Sequence, residues 1–219
     1  VVENPRIAFA EVLNFLYEEI NFNPGIDDSA VIRSSAKVGE NCYVGPNVYI
    51  GENSIIGDNN KIREYVTVNP GTKGGGGLTK IGNNCLFMVS SHIAHDCQIG
   101  NNVVIANNVP LGGHVIIEDS VIIGGNSAVQ QFTRIGRLAM VGGMTGVLKD
   151  VIPFGLSFGN RNYLQGINLI GLRRNKYKNK TIMELDEAYK KIFSSKNLHE
   201  NLSKINGEFK DNKLVKEVT

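Results

Sequence analysis

An aliphatic residue returns at every sixth position along most of this chain, often followed by glycine, and that period restricts the fold more than any single motif does. One block runs Ile26, Ile32, Val38, Val44, Ile50, Ile56, Ile62 and Val68. A second runs Ile81, Phe87, Ile93, Ile99, Ile105, Leu111, Ile117, Ile123, Val129, Ile135, Val141 and Val147. A unit this short buries its apolar residue only by stacking on neighbouring copies, which predicts a mainly β chain wound as a parallel β-helix. The fourth residue after the aliphatic is usually small or β-branched, as in Ala30, Cys42, Val48 and Val66, and suits a second inward-facing site. With three hexads to a turn, residues about 18 apart stack at the inter-strand spacing of about 4.8 Å.

The 219 residues, 42% of them apolar, can bury a sizeable core. They divide into an N-terminal helix and linker over 1–25, the β-helix over 26–152, and an irregular segment with an α-helical tail over 153–219. The first helix is expected over 4–20, with Asn4 as cap and Pro5 in its first turn. Residues 74–80, Gly-Gly-Gly-Gly-Leu-Thr-Lys, fall outside the repeat and read as a mobile external loop. Thr181 to Glu184 has the form of a capping box opening a helix through about residue 195. The chain opens at Val1 without an initiator Met, as a processed, truncated or engineered product would.

Charge is uneven. Residues 1–172 carry 11 basic and 14 acidic side chains, and residues 173–219 carry 12 basic and 7 acidic, so the tail suits an acidic partner. No apolar run approaches the ~18 residues of a transmembrane segment, and no secretory signal or nucleic-acid motif stands out. Cys42, Cys85 and Cys97 all occupy the inward fourth position without metal-type spacing, as core thiols of a reducing, cytoplasmic compartment would.

Repeat arithmetic gathers most of the histidines. His95, Gly113 and Gln131 differ by 18 and form one column, Asp96 and His114 form the next, and His92 lies on the neighbouring edge. An imidazole beside a carboxylate suits a general base, and the Gly113 amide one coil above could donate to an oxyanion formed in acyl transfer. No Ser or Cys stands as a nucleophile, which favours direct transfer. Three histidines also admit a metal site, of the kind that γ-class carbonic anhydrases place on such a helix. A non-catalytic trimeric scaffold is the third reading.

Several segments then resemble UDP-N-acetylglucosamine acyltransferase of lipid A biosynthesis: Ile62-Arg63-Glu64-Tyr65-Val66-Thr67-Val68, the glycine loop ending at Lys80, His92-Ile93-Ala94-His95-Asp96-Cys97, Leu111-Gly112-Gly113-His114, Ala128-Val129-Gln130-Gln131-Phe132, Met140-Val141-Gly142-Gly143, and Gly166 through Arg174. The similarity spans about residues 56–200. It implies a left-handed coil and a homotrimer with active sites between subunits. It also implies transfer of a 3-hydroxyacyl group from the phosphopantetheine of acyl carrier protein to the sugar 3-hydroxyl of a UDP-sugar, without another cofactor and without a metal. By that resemblance His95 is the general base, Asp96 orients it, and Gly113 supplies the oxyanion donor. His92, His114 and Gln131 would contact sugar and phosphates, Asn168 and Arg174 the nucleotide, and Gly143 would border the acyl channel.

The chain departs from that family in an unbroken run of hexads from Ile50 to Val68, where relatives carry a substrate loop. It also has Gln130, Ile170 and Asn175 at positions that differ in the family. Residues 1–60 instead resemble UDP-3-O-acylglucosamine N-acyltransferase, as though the chain were a chimera joined near residues 56–62.

Overall fold

The computed structural model describes residues 22–194, 197–209 and 211–218, so the helix expected over 4–20 lies outside the described residues. From residue 25 the chain winds through two-residue strands, one per hexad, that stack into three parallel sheets. The first sheet begins at Gly25–Ile26, the second at Val31–Ile32 and the third at Lys37–Val38, and each hexad hands the chain to the next sheet. Partners differ by one coil, as in Tyr43↔Lys61 and Leu86↔Val104. Across the glycine loop they differ by seven residues more, as in Ile55↔Lys80, so the insertion leaves the register intact.

The predicted inward positions form the core. Ile50, Ile62, Phe87, Ile93, Ile105, Leu111, Ile117 and Ile123 are all at most 1% exposed, and burying an aliphatic side chain of this size contributes about 1.5–3 kcal/mol. The fourth-position residues Val48, Val66, Cys97, Val103 and Val115 complete it. The three thiols are free and buried, with Cys42, Cys85 and Cys97 directed at the carbonyls of Gly57, Gly100 and Gly112. Burial pushes the Cys85 and Cys97 thiols up to about 11, which keeps them neutral packing groups.

Each corner needs a left-handed residue three places after the aliphatic. Asn41, Asn47, Asn53, Asn59, Asn84, Asn102, Asn108 and Asn126 fill it at φ 54–57°. Asparagine enters this region at less cost than other residues with a Cβ, because its short amide can bond locally. Along the corner that follows the third sheet, a side chain from the coil above also caps the preceding amide. Asp58 accepts from the Glu40 N–H, Asn83 from Asp58, Asn101 from Asn83 and Asp119 from Asn101.

Beyond the last coil, Gly155–Phe158 and Tyr163–Ile167 pair antiparallel and extend the first sheet. A separate core of Phe154, Leu172, Leu185, Ala188 and Tyr189 seats the tail on Leu138. The tail helix runs Asn179–Ile192, three residues earlier than the capping box implied, and Lys178 precedes it without a side-chain cap. Packing of Ile182, Leu185, Tyr189 and Ile192 therefore fixes this helix, and Thr181 and Glu184 do not set its start. Among the described residues no helix is long and apolar enough to cross a membrane.

Candidate active site

Residues other than asparagine also fill the left-handed position, Tyr65, Ser90, Ser120, Leu138 and Met144 among them, and at the corner that follows the second sheet they do so in three coils running. Asp96, His114 and Phe132 take the left-handed position in successive coils, at φ 59°, 60° and 64°. Strained backbone of this kind persists where a side chain is needed for something other than the turn. The three sit side by side: the His114 ring stacks on Phe132 at 4.5 Å and meets the His95 ring edge-on at 5.0 Å.

His95 and Asp96 are joined by a 2.9 Å contact between Nδ1 and Oδ2, with the imidazole 38% exposed and the carboxylate 1%. Burial pushes the Asp96 carboxyl up, but bonds from the Thr72 hydroxyl, the His95 ring and the Thr72 amide outweigh it and hold the group at about 2. An ionised carboxylate only accepts, so His95 Nδ1 carries a proton, and in the neutral ring the lone pair is on Nε2. Gly113 lies directly against that face. A Cβ built there would stand 2.5 Å from His95 Nε2 and 2.4 Å from Cε1. The Gly113 N–H has no partner among the described residues, whereas the Gly113 carbonyl is taken by the Phe132 N–H at 3.0 Å. The partly exposed His95 ring thus lies against a buried glycine whose amide is unpartnered among the described residues.

The glycine loop, expected to be mobile, is tied into this site. Asp96 accepts from the Thr72 N–H at 3.0 Å, the Thr72 hydroxyl at 2.7 Å and the Gly77 N–H at 3.2 Å. A Cβ on Gly75 would lie 2.3 Å from Asp96 Oδ2 and 2.5 Å from His114 Cε1. The run of glycines cradles a carboxylate of its own chain. Hexad arithmetic set the insertion at 74–80, but Lys80–Ile81 is already a strand and Thr79 is buried before it, so the extra residues lie earlier and take in Thr72, Gly75 and Gly77. It also missed Phe132, one of several residues other than asparagine at a left-handed corner.

Of the other predicted residues, His92 is half-buried and bonds Thr67 through Nδ1 at 2.7 Å, and burial lowers its pKa. Gln131 is exposed, its backbone lying over Gly112. Asn168, Arg174 and Gly143 are elsewhere. Asn168 caps the helix Leu169–Arg174, its Oδ1 accepting from the Gly171 N–H and its Nδ2 donating to the Leu138 carbonyl. With Arg174 and Asn175 it borders a cavity of about 980 Å³ against Val104, Ile122 and Met140 of the first sheet. Gly143 lies at the corner that follows that same sheet, 3.2 Å below which is the Gly125 carbonyl for any added Cβ.

His95, Asp96 and His114 place their ligand atoms within 4.8 Å of one another, as a metal site would need. However, both Asp96 oxygens are engaged by Thr72, Gly77 and His95, so coordination would break the bonds that hold the pair. The donor set fits an imidazole–carboxylate pair better than a cation.

A β-helix of hexads with such a pair at its corner is the frame of the hexapeptide transferases, and residues 35–70 and 78–113 match the family profile described as bacterial transferase hexapeptide. Residues 150–219 match the profile of UDP-N-acetylglucosamine O-acyltransferase, domain 2. The solved UDP-N-acetylglucosamine O-acyltransferase of Moraxella catarrhalis superposes with a TM-score of 0.71 at 34% identity, covering 88% of this chain and 92% of that one. The enzyme of Campylobacter jejuni does so with a TM-score of 0.73 at 30% identity, covering 89% and 94%. The chain belongs to the UDP-N-acetylglucosamine O-acyltransferase family. The acyl-[acyl-carrier-protein]–UDP-N-acetylglucosamine O-acyltransferase of Anaeromyxobacter sp. (strain K) is 51% identical over 150 residues, which is 68% of this chain and 58% of that protein. The Paracoccus denitrificans protein of the same name is 51% identical over 115 residues, 52% of this chain and 44% of that one. The chain thus spans about half the length of these curated relatives.

Proposed function

We propose that this protein transfers a 3-hydroxyacyl group from acyl carrier protein to the 3-hydroxyl of UDP-N-acetylglucosamine, in the cytoplasm. The observation that carries the reading is the His95 ring packed against Gly113, whose amide has no partner among the described residues. Nε2 takes the proton of the sugar hydroxyl while its oxygen attacks the thioester carbonyl. The Gly113 N–H donates to the oxygen of the tetrahedral intermediate. Collapse expels the phosphopantetheine thiolate, which recovers the proton from the His95 imidazolium. Asp96, ionised, keeps the ring in its working tautomer and offsets its transient charge. No acyl-enzyme is formed, and no further cofactor takes part.

His92, His114 and Gln131 border the sugar and its phosphates. Asn168 and Arg174 serve the nucleotide, and Gly143 borders the acyl chain. In one chain these three stand at other faces of the coil from His95, and a second copy brings them together, so the working form is a homotrimer with sites between subunits. The basic side chains of residues 173–219 receive the acidic carrier protein.

Turnover of acyl carrier protein thioester with UDP-N-acetylglucosamine tests the reading. His95→Ala is expected to abolish it, and unchanged turnover would end the assignment.

A further inference from the structure

We infer that Thr72 is a positioning residue, clamping the Asp96 carboxylate through hydroxyl and amide so that the imidazole is held toward Gly113. This rests on the acyl-transfer reading and adds to it a segment that the repeat does not contain.

Asp96 stands between two partners. Its Oδ2 meets His95 Nδ1 at 2.9 Å and the Thr72 hydroxyl at 2.7 Å, and its Oδ1 accepts the Thr72 N–H at 3.0 Å and the Gly77 N–H at 3.2 Å. Its own N–H is fixed to the Thr79 hydroxyl at 2.9 Å, and Thr79 is fully buried. Both carboxylate oxygens are thus used, each of them by the loop. Without the loop the Asp96 side chain would rotate about two bonds and face water, where a single imidazole contact holds it weakly. Thr72 is the one residue that binds the carboxylate through both hydroxyl and amide. Gly75 completes the clamp sterically, since only a residue without Cβ lets the loop close over Asp96 and His114. A ring displaced by about 1 Å can lose about a hundredfold in rate, which is the scale such a clamp protects.

The test is a double-mutant cycle in the full chain, with kcat and acceptor KM read separately. Thr72→Val keeps the shape and deletes the hydroxyl; kcat should fall about 10–100-fold with KM nearly unchanged. Thr72→Ser should return kcat to within about threefold, because it restores the hydroxyl. In an Asp96→Ala background, Thr72→Val should cost nothing further, since its partner is gone. Gly75→Ala, whose methyl would meet both Asp96 Oδ2 and His114 Cε1, should lower kcat as well. Full additivity of Thr72→Val with Asp96→Ala, or an unaltered kcat in Thr72→Val, overturns the inference. Persisting turnover in His95→Ala overturns the acyl-transfer reading instead, so the two failures are distinct.

Discussion

The imidazole of His95 rests on Gly113, one coil above it, so closely that a methyl group on that glycine would fall 2.4 Å from Cε1 and 2.5 Å from Nε2. Gly113→Ala is therefore expected to turn the ring away without unfolding the coil, since the neighbouring Leu111 and Val115 remain buried as before. Turnover should drop about a hundredfold or more. Circular dichroism should stay that of the parent. A variant with near-normal turnover would mean that ring and amide do not act together.

Asp96 sets a pH dependence whose sign can be worked out. Its carboxyl is held at about 2 against an ordinary value of 3.8. A depressed carboxyl contributes stability that is complete above its unfolded value and is lost as pH falls through its folded one. The window is thus from about pH 4 down to about pH 2, and the amount is about 2 kcal/mol. Asp96→Asn should be less stable than the parent at pH 6, and the gap should narrow on acidification. Urea midpoints at pH 6 and pH 3 measure this. A gap that stays constant would show that the carboxylate contributes no charge-dependent stability.

Much of this site was legible in the hexads because a β-helix converts sequence spacing into position. His95, Asp96, Gly113 and His114 meet as their spacing required, since residues separated by one coil must stack. His92 was placed on the right edge, although its partner Thr67 lies one coil and an inserted loop away. Thr72 and the glycines were not legible, because spacing does not say which residues between Val68 and Ile81 are the inserted ones, and their path depends on the carboxylate they find. Phe132 was not legible either, because Tyr65, Ser120, Leu138 and Met144 also stand at left-handed corners without marking a site. The capping box at Thr181 misled by three residues because burial of the apolar face decided where that helix begins.

Phe132 holds a position that asparagine fills elsewhere, and 67% of its surface is exposed. Neither backbone preference nor burial recommends a phenylalanine there. Phe132→Asn should relieve strain and raise stability by about 1 kcal/mol. It should also remove the ring stacked on His114 and so lower activity. A higher melting temperature joined to slower turnover is the expected pair of results. Gain in stability without loss of activity would make the stacked pair dispensable.

Ser91 is the fourth residue of its hexad, and its hydroxyl is buried without a hydrogen-bond partner among the described residues. Its stacking neighbours by one-coil spacing are Val66 and Val109, which offer no acceptor from their side chains. An unsatisfied hydroxyl costs about 1–3 kcal/mol, against which the small void left by alanine costs less. Ser91→Ala is expected to be neutral or to stabilise by up to about 1 kcal/mol in urea unfolding. A loss of more than that would reveal a bond to the hydroxyl.

His95 and Arg174 stand on different faces of one chain, His95 at the corner after the second sheet and Arg174 beside the cavity on the first. If both serve the same substrate, they must come from different subunits. Each of His95→Ala and Arg174→Ala should then be nearly inactive alone. When the two variants are co-expressed in equal amounts, an assembled site draws its histidine from one subunit and its arginine from the neighbour. In a cyclic oligomer with random mixing, a site is intact only when both donors are unmutated, so activity should recover to about a quarter of the parent. Mixing the folded variants without exchange should give none of this recovery. Absence of recovery after co-expression, with mixed oligomers confirmed by mass spectrometry, would place both residues in a site completed by a single chain or show that Arg174 does not act there.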